Sequence, residues 1–327
     1  MGDWIVAAET MDDIPFNRDQ VRSATATLAA QGVFLGTSSW KYASWRGQLY
    51  DESRYVWRGR FAEARFEKLC LAEYAEVFKT VCVDAAYYKF PSRAFLEQLV
   101  SQVPADFQFA LKVTDQITIK RFSNLPRFGR RAGEPNENFL NPGLFESAFL
   151  RPCDPFRLSI GLLIFEFSRF SRADYEHGRD FVAALDQFLG SLPKGWRYGV
   201  EIRNRNFLHP DYFATLSRHG AAHIFNSWSD MPPLNEQLAM PGSLSSPDFL
   251  GARLLLRPGR KYEEAVKLFS PYQSIKDPYP EGRAAGAALI KTAITAARKG
   301  FIYVNNRFEG NALATIAALL AKAQNMS

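Results

Sequence analysis

The sequence predicts an α/β fold, a (β/α)8 barrel preceded by an N-terminal helical extension. Three observations predict it. Eight short apolar, β-favouring runs recur along the chain, most of them separated by stretches of helical spacing. The runs are nearly continuous in apolar residues rather than alternating, the pattern of strands covered on both faces. Each run stops at polar or aromatic residues, and a barrel of this kind keeps its functional groups at the C-terminal ends of its strands. The competing fold is an open doubly wound sheet with a glycine fingerprint after its first strand. Gly36-Thr37-Ser38-Ser39 lacks GxGxxG and no Walker sequence occurs, which argues against that fold and against nucleotide binding of those kinds.

Residues 1–31 read as an extension and 32–327 as one barrel domain. Within the extension, Asn17 to Ala30 is a modest helix with Val21, Ala24 and Leu28 on one side. Val33–Gly36 is the first strand, and Phe61–Phe78 a helix with Leu71, Ala75 and Phe78 on one face. Thr80–Asp84 is the second strand, Arg93–Val103 the next helix, and Phe107–Lys112 the third strand. An irregular, proline-bearing stretch over roughly 119–158 follows, with a short helix at Leu144–Phe149. Strand Ile160–Phe165 leads to helix Arg172–Leu189, strand Trp196–Ile202 to a helix around Asp211–Arg218, and strand Ala222–Phe225 to a loop containing Met231-Pro232-Pro233. Strand Gly251–Leu256, helix Ala284–Lys299, strand Phe301–Val304 and helix Asn311–Ala323 complete the pattern.

Composition narrows the class. Of 327 residues, 47% are hydrophobic and 23% charged, and 27 Phe, 13 Tyr and 6 Trp can fill a large core, which excludes bulk disorder. The longest apolar runs, such as Leu313–Ala321, are too short to span a membrane. The first residues carry Asp3, Glu9, Asp12 and Asp13 without a basic region and do not read as a signal peptide. Cys70, Cys82 and Cys153 lie far apart with no CxxC spacing, so neither a disulfide framework nor a thiolate zinc site is expected, and a cytoplasmic protein is. The excess of 40 basic over 34 acidic residues, +6, is compatible with anionic ligands without specifying one.

The strand ends supply the candidate site. After the first strand come Thr37, Ser38, Trp40, Tyr42 and Trp45, and after the second Asp84, Tyr87 and Tyr88. The third strand ends at Lys112 and the fourth at Glu166, and the fifth passes through Glu201 to Arg203. Asn226, Trp228 and Asp230 follow the sixth, Arg257 the seventh, and Asn305, Asn306 and Arg307 the eighth. Buried charges need partners, so Lys112, Glu166, Glu201, Arg203 and Arg257 are expected to form a satisfied network. That network fills the barrel mouth at the least. As a pocket it offers Lys112, Arg203 and Arg257 to an anion, Glu201 as base and Glu166 as acid, and aromatic faces for a ring or sugar. Glu166 and Glu201, on adjacent strand ends, could approach as a carboxylate pair, which is weak evidence for glycoside hydrolysis.

Other chemistries find less support. His177, His209, His219 and His223 form neither HxH nor HExxH, and GxSxG is absent. No cofactor is predicted, with a divalent cation at Asp84, Glu166 and Glu201 left open. The segment Lys120–Arg131 carries Lys120, Arg121, Arg127, Arg130 and Arg131 with no acidic residue, interleaved with Phe122 and Phe128. Such a loop either tracks a phosphate backbone and stacks on bases or is a solvated loop with aromatic anchors.

Read together, these motifs resemble the YecE-like barrels, the domain-of-unknown-function family numbered seventy-two, over about residues 33–322. The similarity rests on Gly36-Thr37-Ser38-Ser39-Trp40-Lys41-Tyr42-Ala43-Ser44-Trp45-Arg46-Gly47-Gln48-Leu49-Tyr50 and on Val83-Asp84-Ala85-Ala86-Tyr87-Tyr88-Lys89-Phe90-Pro91-Ser92. It extends to Phe109-Ala110-Leu111-Lys112 with Ile117-Thr118, to Glu201-Ile202-Arg203 and to Asn305-Asn306-Arg307-Phe308-Glu309-Gly310. The resemblance implies a (β/α)8 barrel and no known reaction. It also marks departures. The amide of the family's usual LFQLPP becomes Glu166, the usual Asn of its second motif is Asp84, and the terminal NND is Asn305-Asn306-Arg307. Two histidines of the family pattern are replaced, at Ile119 and at Pro258-Gly259.

The function expected is that of a barrel with a polar pocket at its C-terminal face, binding and hydrolysing a small phosphorylated ligand or a nucleic acid. The alternative is a non-catalytic module that binds nucleic acid or protein, with Arg127, Arg130 and Arg131 as contacts.

Overall fold

The computed structural model describes residues 14–325. The chain enters through helix α1 (Arg18–Ala30), whose N-cap Asn17 accepts from the Gln20 amide at 3.1 Å. The Thr25 hydroxyl of α1 donates to the Val77 carbonyl at 2.6 Å, which fastens the helix to the outside of the barrel.

Eight parallel strands then close on themselves: β1 (Val33–Thr37), β2 (Thr80–Val83), β3 (Gln108–Lys112), β4 (Ile160–Phe167), β5 (Tyr198–Ile202), β6 (Ala222–Asn226), β7 (Phe249–Leu254) and β8 (Lys299–Val304). Each pairs with the next in sequence and β8 returns to β1, which makes the chain a (β/α)8 barrel. Register places Glu166 level with Glu201 and Asn226 level with Arg253.

Side chains alternate across each strand and so build two cores. Outward residues such as Leu35, Val81, Leu111, Leu163 and Val200 pack under the helices. Inward residues, among them Cys82, Ala110, Leu162, Ile164, Ile224, Phe301 and Tyr303, fill the barrel. Glycine makes room here by necessity. A Cβ on Gly199 or on Gly251 would fall 2.4 Å from the Ile224 Cδ1. The apolar layer occupies the lower interior, so the charged ends of the strands stand above it.

Several elements differ from expectation. The helix expected from Arg172 starts at Gly178, because Ser171 is bound through its amide to Asp174 at 2.9 Å in a preceding turn. The seventh strand spans Phe249–Leu254 rather than Gly251–Leu256. Helices Leu234–Ala239 and Tyr262–Phe269 and a hairpin of Val56–Trp57 with Arg60–Phe61 had no counterpart in the sequence reading. Among the described residues, no helix is long and apolar enough to cross a membrane.

Candidate functional site

Six charged side chains meet at the C-terminal end of the barrel interior. Lys112 Nζ lies 2.9 Å from Glu166 Oε2 and 3.5 Å from Asp84 Oδ1. Arg203 grips Glu201 Oε1 with Nη2 at 2.6 Å and Nε at 2.9 Å, and reaches Glu166 Oε2 at 3.0 Å. Arg253 Nη1 bridges Glu166 at 2.5 Å and Glu201 at 2.7 Å, and its Nη2 is 3.6 Å from Asp84. Three cations therefore face three carboxylates and the formal charges cancel. The strands explain the arrangement. All six residues take inward positions near or just past a strand end, above the apolar layer.

Burial and pairing oppose each other in this ring. Burial pushes the Glu166 carboxyl up, but Arg203, Lys112 and Arg253 together hold it well below the usual carboxylate range. Burial pulls Lys112 down, and Glu166 and Asp84 more than reverse it, so the ammonium is held charged. Glu201 is fully buried, whereas the Asp84 side chain is 35% exposed and is the member of the ring that meets solvent.

Several buried polar atoms at this end have no hydrogen-bond partner among the described residues, Ser38 Oγ, Asp84 Oδ1, Asn226 Oδ1 and Arg253 Nε among them. Beside them, burial raises the Tyr42 hydroxyl to about 12, with Arg307 opposing and Asp84 adding to the shift.

A cleft of about 980 Å³ opens next to the ring, over the ends of β4 to β7. Arg203 reaches it from the ring, with its guanidinium 3.8 Å from the Trp228 ring centroid. Arg169, Arg172 and Arg205 also line it, against the acids Asp230 and Glu236. Arg169 is paired with Asp230 at 2.8 Å. Arg172 and Arg205 have no ion-pair partner among the described residues.

The sequence profile described as "Protein of unknown function DUF72" matches residues 34–327. The chain belongs to the DUF72 family. Solved DUF72 structures are similar to it. One from Enterococcus faecalis shares 18% identity with a TM-score of 0.58, covering 90% of this chain and 98% of that one. Another from Thermotoga maritima shares 17% with a TM-score of 0.54, covering 90% and 99%. At these identities the likeness shows the fold alone. No curated protein matches the chain.

In this DUF72 barrel the strand-end residues divide into two groups. Lys112, Glu166, Glu201, Arg203 and Asp84 come together, with Ser38, Asn226 and Asn305 buried at the same end. Asn226 spends its amide on the Ile202 and Ile224 carbonyls, at 3.1 and 3.3 Å. Asn305 accepts from the Arg307 amide at 2.9 Å and Asn306 from the Ala312 amide at 2.8 Å, so both shape the last loop. The Tyr87 ring lies 4.1 Å beneath the Lys112 ammonium.

The others point elsewhere. Thr37 faces outward and bonds the Tyr74 hydroxyl at 2.9 Å. Trp40 and Trp45 are buried, and Trp45 packs against Tyr42 and Tyr50 in the outer core. Tyr88 is exposed and stacks with Arg127 at 5.0 Å. Arg257 does not join the ring. It pairs with Asp277, each oxygen at 3.2 Å, and the ring's third cation is Arg253, four residues earlier. The strand ends at Leu254 rather than Leu256, and Arg253 is flanked by Ala252 and Leu254, so its charge falls within an apolar run and not at the end of one.

The departures from the family pattern now have a physical consequence. Amides at positions 84 and 166 would leave the three cations facing Glu201 alone. Asp84 and Glu166 make the ring neutral. These carboxylates also meet cations in every short contact they make, and among the described residues no group of three His, Cys, Asp or Glu is arranged to hold a metal ion.

In the basic loop, Phe122 and Phe128 turn inward onto Ile119 and are buried. Arg127 is held by Asp115 at 3.0 Å, and Arg131 lies over Phe122 at 4.5 Å. The phenylalanines are anchors of the loop and do not present faces for bases.

Proposed function

We propose that this barrel binds a small anionic ligand, such as a phosphorylated compound, in the cleft at its C-terminal face. The observation that carries the reading is the pair Arg172 and Arg205, without ion-pair partners among the described residues, beside the guanidinium of Arg203 in a cleft of about 980 Å³. Arginine forks match phosphate oxygens in pairs, and Arg203 is held in place by Glu201 and Trp228 before any ligand arrives.

The neutral ring beneath serves to hold Arg203 rather than to move protons. A general acid needs a carboxyl protonated near neutral pH, and Glu166 is held in the opposite direction by three cations. Glu201, fully buried between Arg203 and Arg253, has no exposed face for a substrate.

Thermal-shift titration tests the binding claim. Inorganic pyrophosphate raises the melting temperature of the native chain and does so less for Arg172→Ala/Arg205→Ala. An equal shift in both proteins, or none in either, refutes it.

A further inference from the structure

We propose that the hairpin Val56–Trp57/Arg60–Phe61 is a docking site for single-stranded nucleic acid. The hairpin belongs to the connection from β1 to β2, on the same C-terminal side of the barrel as the ring. It is independent of the cleft, and its success or failure does not bear on the ligand bound there.

Two costly features coincide at the hairpin tip. Trp57 is 61% exposed, the most exposed Trp among the described residues, and has no ring contact there. Arg58 has φ 49° and Gly59 φ 76°, so the two-residue turn between paired Trp57 and Arg60 needs a left-handed backbone at both positions. Asn, Asp or Gly serves the first of these positions at lower cost than Arg. Strain of this kind at an exposed tip points to a task for the side chain.

The presentation is rigid. Tyr55, just before the hairpin, is buried and donates its hydroxyl to Glu73 at 2.6 Å. The Ala62 amide after it returns to the Tyr55 carbonyl at 2.8 Å, and the Phe61 ring packs on Phe66 at 5.7 Å. Directly opposed residues of a ladder project to one face, so Trp57 stands beside Arg60. From Ser53 to Ala62 there is no acidic residue, and Arg58 and Arg60 have no ion-pair partner among the described residues.

An exposed indole flanked by free guanidiniums matches a polymer with flat bases and a phosphate at each step. A lipid surface is a poorer match, since apart from Trp57 only Val56 is an exposed apolar residue of the hairpin. Duplexes bury the faces of their bases, which leaves single strands.

The test is fluorescence anisotropy of a labelled oligothymidylate and of an abasic strand of equal length, at low and moderate salt. Both are expected to bind at low salt and to weaken with salt. Trp57→Ala is expected to weaken the oligothymidylate roughly tenfold, and Trp57→Phe to restore most of that loss. Neither change should alter the abasic strand. Arg58→Gly/Arg60→Ala should make the salt slope shallower by about 1.4 for both strands. Circular dichroism of each variant checks that the barrel is intact. Absence of oligothymidylate binding at low salt, or equal binding by the native chain and Trp57→Ala, overturns the proposal. So does Trp57-dependent sedimentation with anionic phospholipid vesicles in a protein that does not bind the oligonucleotide.

Discussion

Arg253 and Glu201 meet across the barrel at 2.7 Å although β6 lies between their strands. The contact ties the seventh strand to the fifth through the barrel interior rather than through the sheet. Glu166 on β4 takes a second bond from the same Arg253 nitrogen, so one guanidinium spans four consecutive strands.

Removing that guanidinium leaves two buried carboxylates short of a partner. Arg253→Met is expected to lower unfolding free energy by about 3–5 kcal/mol. Adding Glu201→Gln should recover part of the loss, because one of the stranded charges is then gone. Urea denaturation of the native chain and the two variants measures both effects.

His223 gives a second prediction. It is fully enclosed, with the Tyr212 hydroxyl at 3.2 Å and Gln237 Oε1 at 3.3 Å, and burial lowers its pKa to about 4 from an ordinary 6.5. The unfolded chain therefore binds the proton first, and stability is complete above pH 6.5 and falls as pH drops toward 4. The shift corresponds to about 3 kcal/mol across that interval. Carboxylates with lowered pKa, such as Glu166, add their loss only below about 4.5, so the contribution of His223 falls in a higher pH interval than theirs. His223→Gln should flatten the fall in that interval, read from denaturation curves taken at successive pH values.

The interior packing gives a third. Gly251→Ala places a methyl 2.4 Å from Ile224 Cδ1, and an overpacked core loses about 1–3 kcal/mol. Ile224→Val removes the obstructing atom. The double variant should then be more stable than the sum of the two single changes predicts, and a double-mutant cycle reads that coupling.

How much of this was legible beforehand depended on the physical signal. The eight strands were, because apolar runs such as Ile160–Phe165 end sharply at charge and are spaced by helical patterns. The ring was mostly legible for the same reason, since Lys112, Glu166, Glu201 and Arg203 stand at those stops. Arg253 was not, because it is flanked by apolar residues on both sides and looks like part of a run. Its inward position is fixed by register with Asn226 and Tyr303, which only the closed barrel supplies. Trp40 and Trp45 follow the first strand as a platform would, yet tertiary packing buries them in the outer core. The hairpin is four paired residues long and has no periodicity to detect; the Arg58-Gly59 pair that turns it was its one local signal.

On the proposed function, the cleft beside Arg203 receives an anion. Isothermal titration of inorganic pyrophosphate into the native chain and into Arg172→Ala/Arg205→Ala tests it most directly, because both side chains are exposed and their removal spares the core. The account predicts saturable one-site binding that the double variant weakens at least tenfold, with unchanged thermal stability in the absence of ligand. Equal affinities in the two proteins, or no heat of binding in the native chain, would contradict it.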